Sequence, residues 1–173
     1  MSMGSRRRSN AGFTLFEMII SVAVIGIMAL AFYPNLMNPT DVRSLDMGSR
    51  EILSTLQLAK WQAASAKLNH RVRFYSLSGR WWYAIEFESQ TGTWTAKPGQ
   101  PTRSVATKFV LTLTLPANAS VIFTPTGFVD GFDTARNTVA LASAKLTGMG
   151  QSGRRLIRIF ASGSFLLSAD NGG

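Results

Sequence analysis

The hydrophobic pattern divides the chain into three stretches. Across residues 13–33 apolar side chains follow one another almost without interruption, and Glu17 is the one charged residue among them. Across residues 41–68 apolar residues recur at spacings of three, four and seven, which is typical of a helix that buries one face. Beyond Arg71 the period falls to two, which is typical of β-strands. A long helix followed by strands predicts an α+β fold, with the helix packed on an antiparallel β-sheet domain.

The second stretch is expected to continue the helix as far as about Leu68. Its buried stripe is predicted at Leu45, Ile52, Leu56, Ala59, Ala63 and Ala66, and its exposed flanks at Arg43, Arg50, Lys60 and Lys67. Pro34 deletes a helical hydrogen bond, so it predicts a kink or an end, and whether it bends one helix or separates two is open. The Asn-Pro-Thr-Asp sequence at 38–41 predicts a break or a capped restart.

The strands of the third stretch are separated by turns that contain glycine and proline. Alternation is clearest at residues 82–88 and 109–115. Further strands are predicted at residues 72–75, 121–124, 138–142, 156–161 and 165–167. Asn69 and His70 are expected to end the helix, with His70 on the surface.

The first stretch is long enough to cross a membrane. As a helix at about 1.5 Å per residue, residues 13–33 would cover roughly 30 Å, the hydrocarbon thickness of a bilayer. The basic head Arg6–Arg8 would stay in the cytoplasm and the rest of the chain would cross. The alternative is a signal peptide cleaved after Ala31, which would release a secreted hydrolase beginning at Phe32. The long apolar run and its Glu17 favour a retained anchor.

Glu17 needs a cationic partner if it stays ionised in apolar surroundings. A cut between Gly12 and Phe13 would create an α-amine on Phe13, one helical turn from Glu17 or within reach of the Glu17 of a neighbouring copy. The alternative is that the Glu17 side chain extends to the cytoplasmic interface.

The sequence Gly-Phe-Thr-Leu-Phe-Glu at 12–17, after a short basic head and before a long apolar run, resembles the class III signal of type IV pilins and type II secretion pseudopilins. The resemblance implies that a prepilin peptidase cuts after Gly12 and methylates the amine of Phe13. It also implies that Glu17 sets subunit register in a filament and that Pro34 bends the helix.

The second half resembles the FimT/GspH family of minor pilins and minor pseudopilins. The resemblance rests on the Phe-Thr-Pro-Thr-Gly sequence at 123–127, the following loop, and residues 137–143 and 154–163. It implies a minor subunit at the filament tip that helps to begin assembly of a type IV pilus or a type II secretion pseudopilus. The partners would be the peptidase, other pilins or pseudopilins and the inner membrane.

Composition excludes several kinds of chemistry. The chain has no cysteine and a single histidine, so it cannot form a disulfide, a thiolate metal site or a histidine-pair metal site. The GxGxxG spelling at 148–153 is followed by a predicted strand rather than a helix, which favours a flexible loop over a dinucleotide site. Asp130 and Asp133 have too few neighbouring oxygen ligands for calcium. No pattern indicates a catalytic residue, a metal or a cofactor, so the chain is not expected to be an enzyme.

The charge balance leaves DNA binding as a second hypothesis. The formal net charge is +9, and loss of Arg6, Arg7 and Arg8 would lower it to +6. The candidate contacts with DNA or another anion are Arg136, Lys145, Arg154, Arg155 and Arg158. Trp81 or Trp94, if exposed, could stack on bases. DNA-binding minor pilins tend to place arginines around the C-terminal glycine, whereas Gly163 is followed here by Ser-Phe-Leu-Leu.

The predicted organisation has four parts. Residues 1–12 form a cleaved leader, 13–33 a transmembrane and filament-core helix, 34–70 its amphipathic continuation and 71–173 a β-rich globular domain. The expected location is the inner membrane, in a single pass with the C-terminal domain in the periplasm, and an extracytoplasmic filament after assembly.

Overall fold

The computed structural model describes residues 14–116 and 119–170, with the backbone alone at residues 30–39. The chain forms two compact units, residues 1–39 and residues 40–173. Helix α1 (Leu15–Ala66) contributes to both units. Gly12 and Phe13 lie outside the described residues.

The backbone of α1 is helical throughout its length, including residues 38–41. The predicted break or capped restart at these residues is therefore wrong. The Pro34 side chain lies outside the described part of the chain, so the kink stays a prediction. In the described residues we find no helix long and apolar enough to cross a membrane.

The C-terminal part of α1 buries the stripe that its periodicity predicts. Five of the six predicted residues are fully or almost fully buried: Leu45, Ile52, Leu56, Ala59 and Ala63. The sixth, Ala66, is exposed because the helix ends there. Lys67 follows with a φ of +57°, the left-handed conformation that terminates many helices.

Sheet A has five antiparallel strands. They are β1 (His70–Leu77), β2 (Arg80–Gln90), β3 (Thr93–Ala96), β4 (Arg103–Ser104) and β6 (Ser120–Phe123). The order is β3-β2-β1-β6, and β4 pairs with β2. Val72, Phe74, Tyr83 and Ile85 are buried on one face, as the alternation predicts.

Sheet B has four antiparallel strands in the order β5-β7-β8-β9. They are β5 (Val110–Thr114), β7 (Thr138–Ala142), β8 (Arg154–Ile159) and β9 (Phe165–Asp170). A short helix, α2 (Ala144–Gly148), connects β7 to β8. One hydrophobic core joins the buried stripe of α1 to the inner faces of both sheets. The predicted α+β fold is confirmed.

Candidate functional site

The N-terminal part of α1 presents an apolar surface. The most exposed of its large apolar side chains are Leu15, Phe16, Ile27 and Val22, with exposed fractions of 82%, 72%, 68% and 67%. Large apolar side chains are normally buried, so an exposed run of them indicates a surface that contacts a membrane or another protein.

Glu17 lies in the first turn of this segment. Its backbone N–H donates to Thr14 Oγ1 at 3.2 Å, which satisfies one of the unpaired donors at the helix start. Its backbone carbonyl accepts a hydrogen bond from Ser21 Oγ at 2.7 Å. Its carboxylate forms no ion pair with any other residue in the described part of the chain. The carboxylate is therefore available to a cation from outside this part of the molecule.

Four of the five predicted anion-contact residues are paired with carboxylates. Arg154 Nη1 lies 3.1 Å from Asp170 Oδ2, and Arg136 Nε lies 3.5 Å from Asp133 Oδ2. Lys145 Nζ donates to Asp41 Oδ2 at 2.6 Å, and this hydrogen bond lowers the pKa of Asp41. Arg155 is buried and donates from Nε to Asp46 Oδ1 at 2.6 Å. These carboxylates neutralise positive charge that would otherwise attract the phosphate backbone of DNA.

The fifth residue, Arg158, is exposed on β8 and forms no ion pair within the described ranges. Arg154 and Arg158 are four residues apart on one strand and therefore share a face of sheet B, whereas Arg155 lies on the other face. The five residues thus do not form one basic surface.

The two tryptophans are not the exposed stacking platforms that the sequence suggests. Trp81 is half-buried and packs against the core. Trp94 is half-buried on sheet A, where the Arg71 guanidinium lies over its ring at 4.3 Å. Arg71 in turn pairs with Glu86. Neither tryptophan therefore meets the condition of exposure on which stacking depended, because both rings already have intramolecular partners.

Lys60 has a role that the sequence analysis misses. The helical period predicts Lys60 on an exposed flank, yet its Nζ donates to the carbonyl oxygens of Ser162 and Gly163, each at 3.0 Å. Gly163 has a φ of +67°, and a Cβ placed on it would lie 2.3 Å from the carbonyl oxygen of Gly127. Lys60 therefore ties α1 to the turn between β8 and β9, next to the glycine of the Phe-Thr-Pro-Thr-Gly sequence. The sequence signal for this contact is the pair Gly127 and Gly163, which lie in the sequences 123–127 and 154–163 noted above.

His70 also differs from expectation. The sequence predicts it on the surface at a helix end, but it is 1% exposed and begins β1. Burial lowers the pKa of its imidazole, and the nearby Lys97 charge lowers it further. The prediction failed because α1 ends at Ala66, which leaves room for the chain to turn inward before His70.

Two further motifs, the GxGxxG spelling and the turn at residues 130–133, lie outside the strands. The GxGxxG spelling spans the end of α2 and the loop into β8, so a strand follows it. Asp133 pairs with Arg136, and Asp130 is exposed. The described residues contain no group of three potential metal-binding side chains.

Comparison with known proteins supplies the remaining observations. Residues 7–33 match the family described as the prokaryotic N-terminal methylation motif. The fold is similar to that of the minor pseudopilin EpsH from the type 2 secretion system of Vibrio cholerae, with a TM-score of 0.54 and 15% identity over 72% of this chain and 95% of that chain. It is also similar to the type IV minor pilin FimU of Pseudomonas aeruginosa, with a TM-score of 0.50 and 17% identity over 71% of this chain and 91% of that chain. No curated protein matches the chain in sequence.

The family match at residues 7–33 includes the sequence at 12–17 and the long apolar run that follows it. The resemblance at residues 12–17 is thereby confirmed as far as the N-terminal methylation motif. The likeness to the two solved structures, at 15% and 17% identity, concerns the fold alone.

Proposed function

We propose that the chain is a minor subunit of a type IV pilus or of a type II secretion pseudopilus. The observation that carries this proposal is the N-terminal methylation motif, which continues into an exposed apolar helical surface bearing Glu17. In the proposed pathway a prepilin peptidase cuts between Gly12 and Phe13 and methylates Phe13. Before assembly, the processed subunit resides in the inner membrane with its globular domain in the periplasm.

The exposed apolar side chains between Leu15 and Met28 contact lipid before assembly and neighbouring helices afterwards. The Glu17 carboxylate pairs with the Phe13 amine of its own or a neighbouring chain, which neutralises both charges in apolar surroundings and fixes the axial position. The subunit lies at the filament tip, where it helps to begin assembly. This role is structural and uses no cofactor.

A gene deletion in the native host tests this role. We expect loss or shortening of surface filaments for a pilus subunit, or accumulation of secreted proteins in the periplasm for a pseudopilus subunit. The wild-type gene restores the lost property, whereas a Gly12→Ala gene does not. Full restoration by the Gly12→Ala gene would contradict the proposal.

DNA binding for uptake is the alternative role, and the geometry offers it little support. Arg158 alone among the five candidate residues has no carboxylate partner in the described residues. A gel shift of the full chain in detergent with double-stranded DNA at two salt concentrations decides between the roles. Phosphate contacts require binding that weakens steeply with salt and with Arg158→Gln.

A further inference from the structure

A pocket of about 260 Å³ opens beside the end of α1. Its lining residues are Ala66, Leu68, His70, Phe87, Lys97 and Pro98. Four of these six are apolar, and the two polar side chains, His70 and Lys97, meet through their side-chain nitrogens. Lys97 Nζ lies 3.3 Å from His70 Nε2.

The hydrogen bonds of His70 identify its protonation state. Nδ1 lies 3.0 Å from the carbonyl oxygen of Leu68, which can only accept, so Nδ1 carries a proton. Nε2 is then the acceptor for the Lys97 ammonium, and the imidazole is neutral. A buried base therefore faces a cation.

Among the described residues, no carboxylate forms an ion pair with His70 or Lys97. On β2, Phe87 shares the face of His70, while Glu86 and Glu88 lie on the opposite face. Glu88 is already held by Asn69 Nδ2 and by the Gly92 N–H, each at 2.7 Å, and Glu86 pairs with Arg71 and Arg73. The β6 neighbour of His70 is Phe123, and at the end of α1 the charged residue is the exposed Lys67.

We propose that this pocket binds a carboxylate that carries a short apolar group. The carboxylate replaces the contact between Lys97 Nζ and His70 Nε2 and accepts a hydrogen bond from each, while the apolar group lies against Leu68, Phe87 and Pro98. His70 takes up one proton on binding, because a neutral Nε2 has no hydrogen to donate. The ligand neutralises one of the two adjacent positive charges that result.

Two sources share this chemistry: the C-terminal residue of a partner polypeptide and a free short-chain acid. The pocket volume of about 260 Å³ is large enough for one apolar side chain with its carboxylate. The proposal is independent of which filament the chain serves.

The single histidine of the chain makes the test direct. In the full chain, without a histidine tag and in detergent, the NMR signal of the imidazole reports His70 alone. The probes are N-acetyl-Ala-Leu with a free carboxylate, the same dipeptide as its amide, and hexanoate. We expect the free acid to raise the apparent pKa of His70 to at least its ordinary value of about 6.5 and the amide to leave it unchanged. Hexanoate as effective as the dipeptide identifies a free acid as the ligand class, and a dipeptide preference identifies a chain terminus.

Lys97→Gln should weaken binding of the acid by about tenfold or more, because it removes the charged donor. Lys67→Gln is the matched control, since it removes a neighbouring charge that does not line the pocket, and it should change affinity less than twofold. An equal response to acid and amide overturns the proposal, as does an unchanged His70 titration at about 10 mM acid. The acid and amide comparison uses the wild-type protein, so it holds even if Lys97→Gln fails to fold.

Discussion

Arg155 on β8 donates from Nε to Oδ1 of Asp46 on α1 at 2.6 Å. Its Nη1 also donates to the carbonyl and hydroxyl oxygens of Ser152, at 2.9 and 3.2 Å. The Arg155 side chain is 10% exposed and that of Asp46 is 41% exposed, so the guanidinium is the more buried partner. The residue is a structural tie between helix and sheet rather than a free cation for a ligand.

Arg155→Gln should therefore destabilise the protein. It removes a charged hydrogen bond and leaves Asp46 without this partner, and we expect the free energy of unfolding to fall by about 2 kcal/mol. Arg158→Gln, on the same strand but exposed, should change it by less than about 0.5 kcal/mol. Urea denaturation of the full chain in detergent measures both. Equal effects of the two substitutions would show that Arg155 has no special structural role.

Gly163→Ala should be more damaging than its size suggests. The residue has a φ of +67°, and the new Cβ would lie 2.3 Å from the Gly127 carbonyl oxygen, so the turn held by Lys60 must move. We expect a loss of more than about 3 kcal/mol. Gly99→Ala is the matched control: its φ is +76° but a Cβ there meets nothing within 4 Å, so about 1 kcal/mol is expected. Similar losses for the two variants would mean that the contact with Gly127 is unimportant.

Stability should fall on mild acidification because of His70. Its pKa is lowered in the folded state, chiefly by burial and further by Lys97, so the unfolded chain binds the proton more readily. Stability contributed by neutral His70 is complete above about pH 6.5 and decreases as the pH falls towards the lower folded pKa. The thermal midpoint of wild-type protein and His70→Gln, measured between pH 7.5 and 5, separates this effect from carboxylate titration at lower pH. A wild-type curve that is flat over this range, or parallel to that of the variant, would contradict the prediction.

Glu17→Ala should separate processing from assembly. The substitution lies beyond the predicted cut, so the precursor should still be shortened, but the mature subunit loses the partner of its amine and should be depleted from filaments by about tenfold. Immunoblots of membrane and sheared-filament fractions measure both properties. Asp130→Ala removes an exposed carboxylate of the globular unit and should leave both normal. Undiminished incorporation of Glu17→Ala would exclude the register role.

The sequence reveals those features that depend on local pattern. The α1 stripe from Leu45 to Ala63 follows from helical period, and the buried alternation of β2 follows from strand period. Strand β3 shows no apolar alternation because three of its four residues are exposed, and β4 and α2, with two and five residues, are too short to show a period. The sequence pattern therefore predicts none of the three.

The candidate site depends on contacts that local pattern cannot reveal. Arg155 and Asp46 are 109 residues apart in sequence, and Lys60 is more than 100 residues from the turn that it holds. From the sequence alone, the basic residues near the C-terminal end therefore suggest an anion-binding surface, because their carboxylate partners are identified only by the structure. His70 was misplaced because a difference of two residues in the helix end decides whether it faces solvent or the core.

The N-terminus of the mature protein tests the central claim most directly. Mass spectrometry of the subunit purified from its native host should find a chain that begins at Phe13 and carries one N-methyl group. A chain that begins at Phe32, or one that keeps Met1 in assembled filaments, would contradict processing after Gly12 and with it the assignment as a filament subunit.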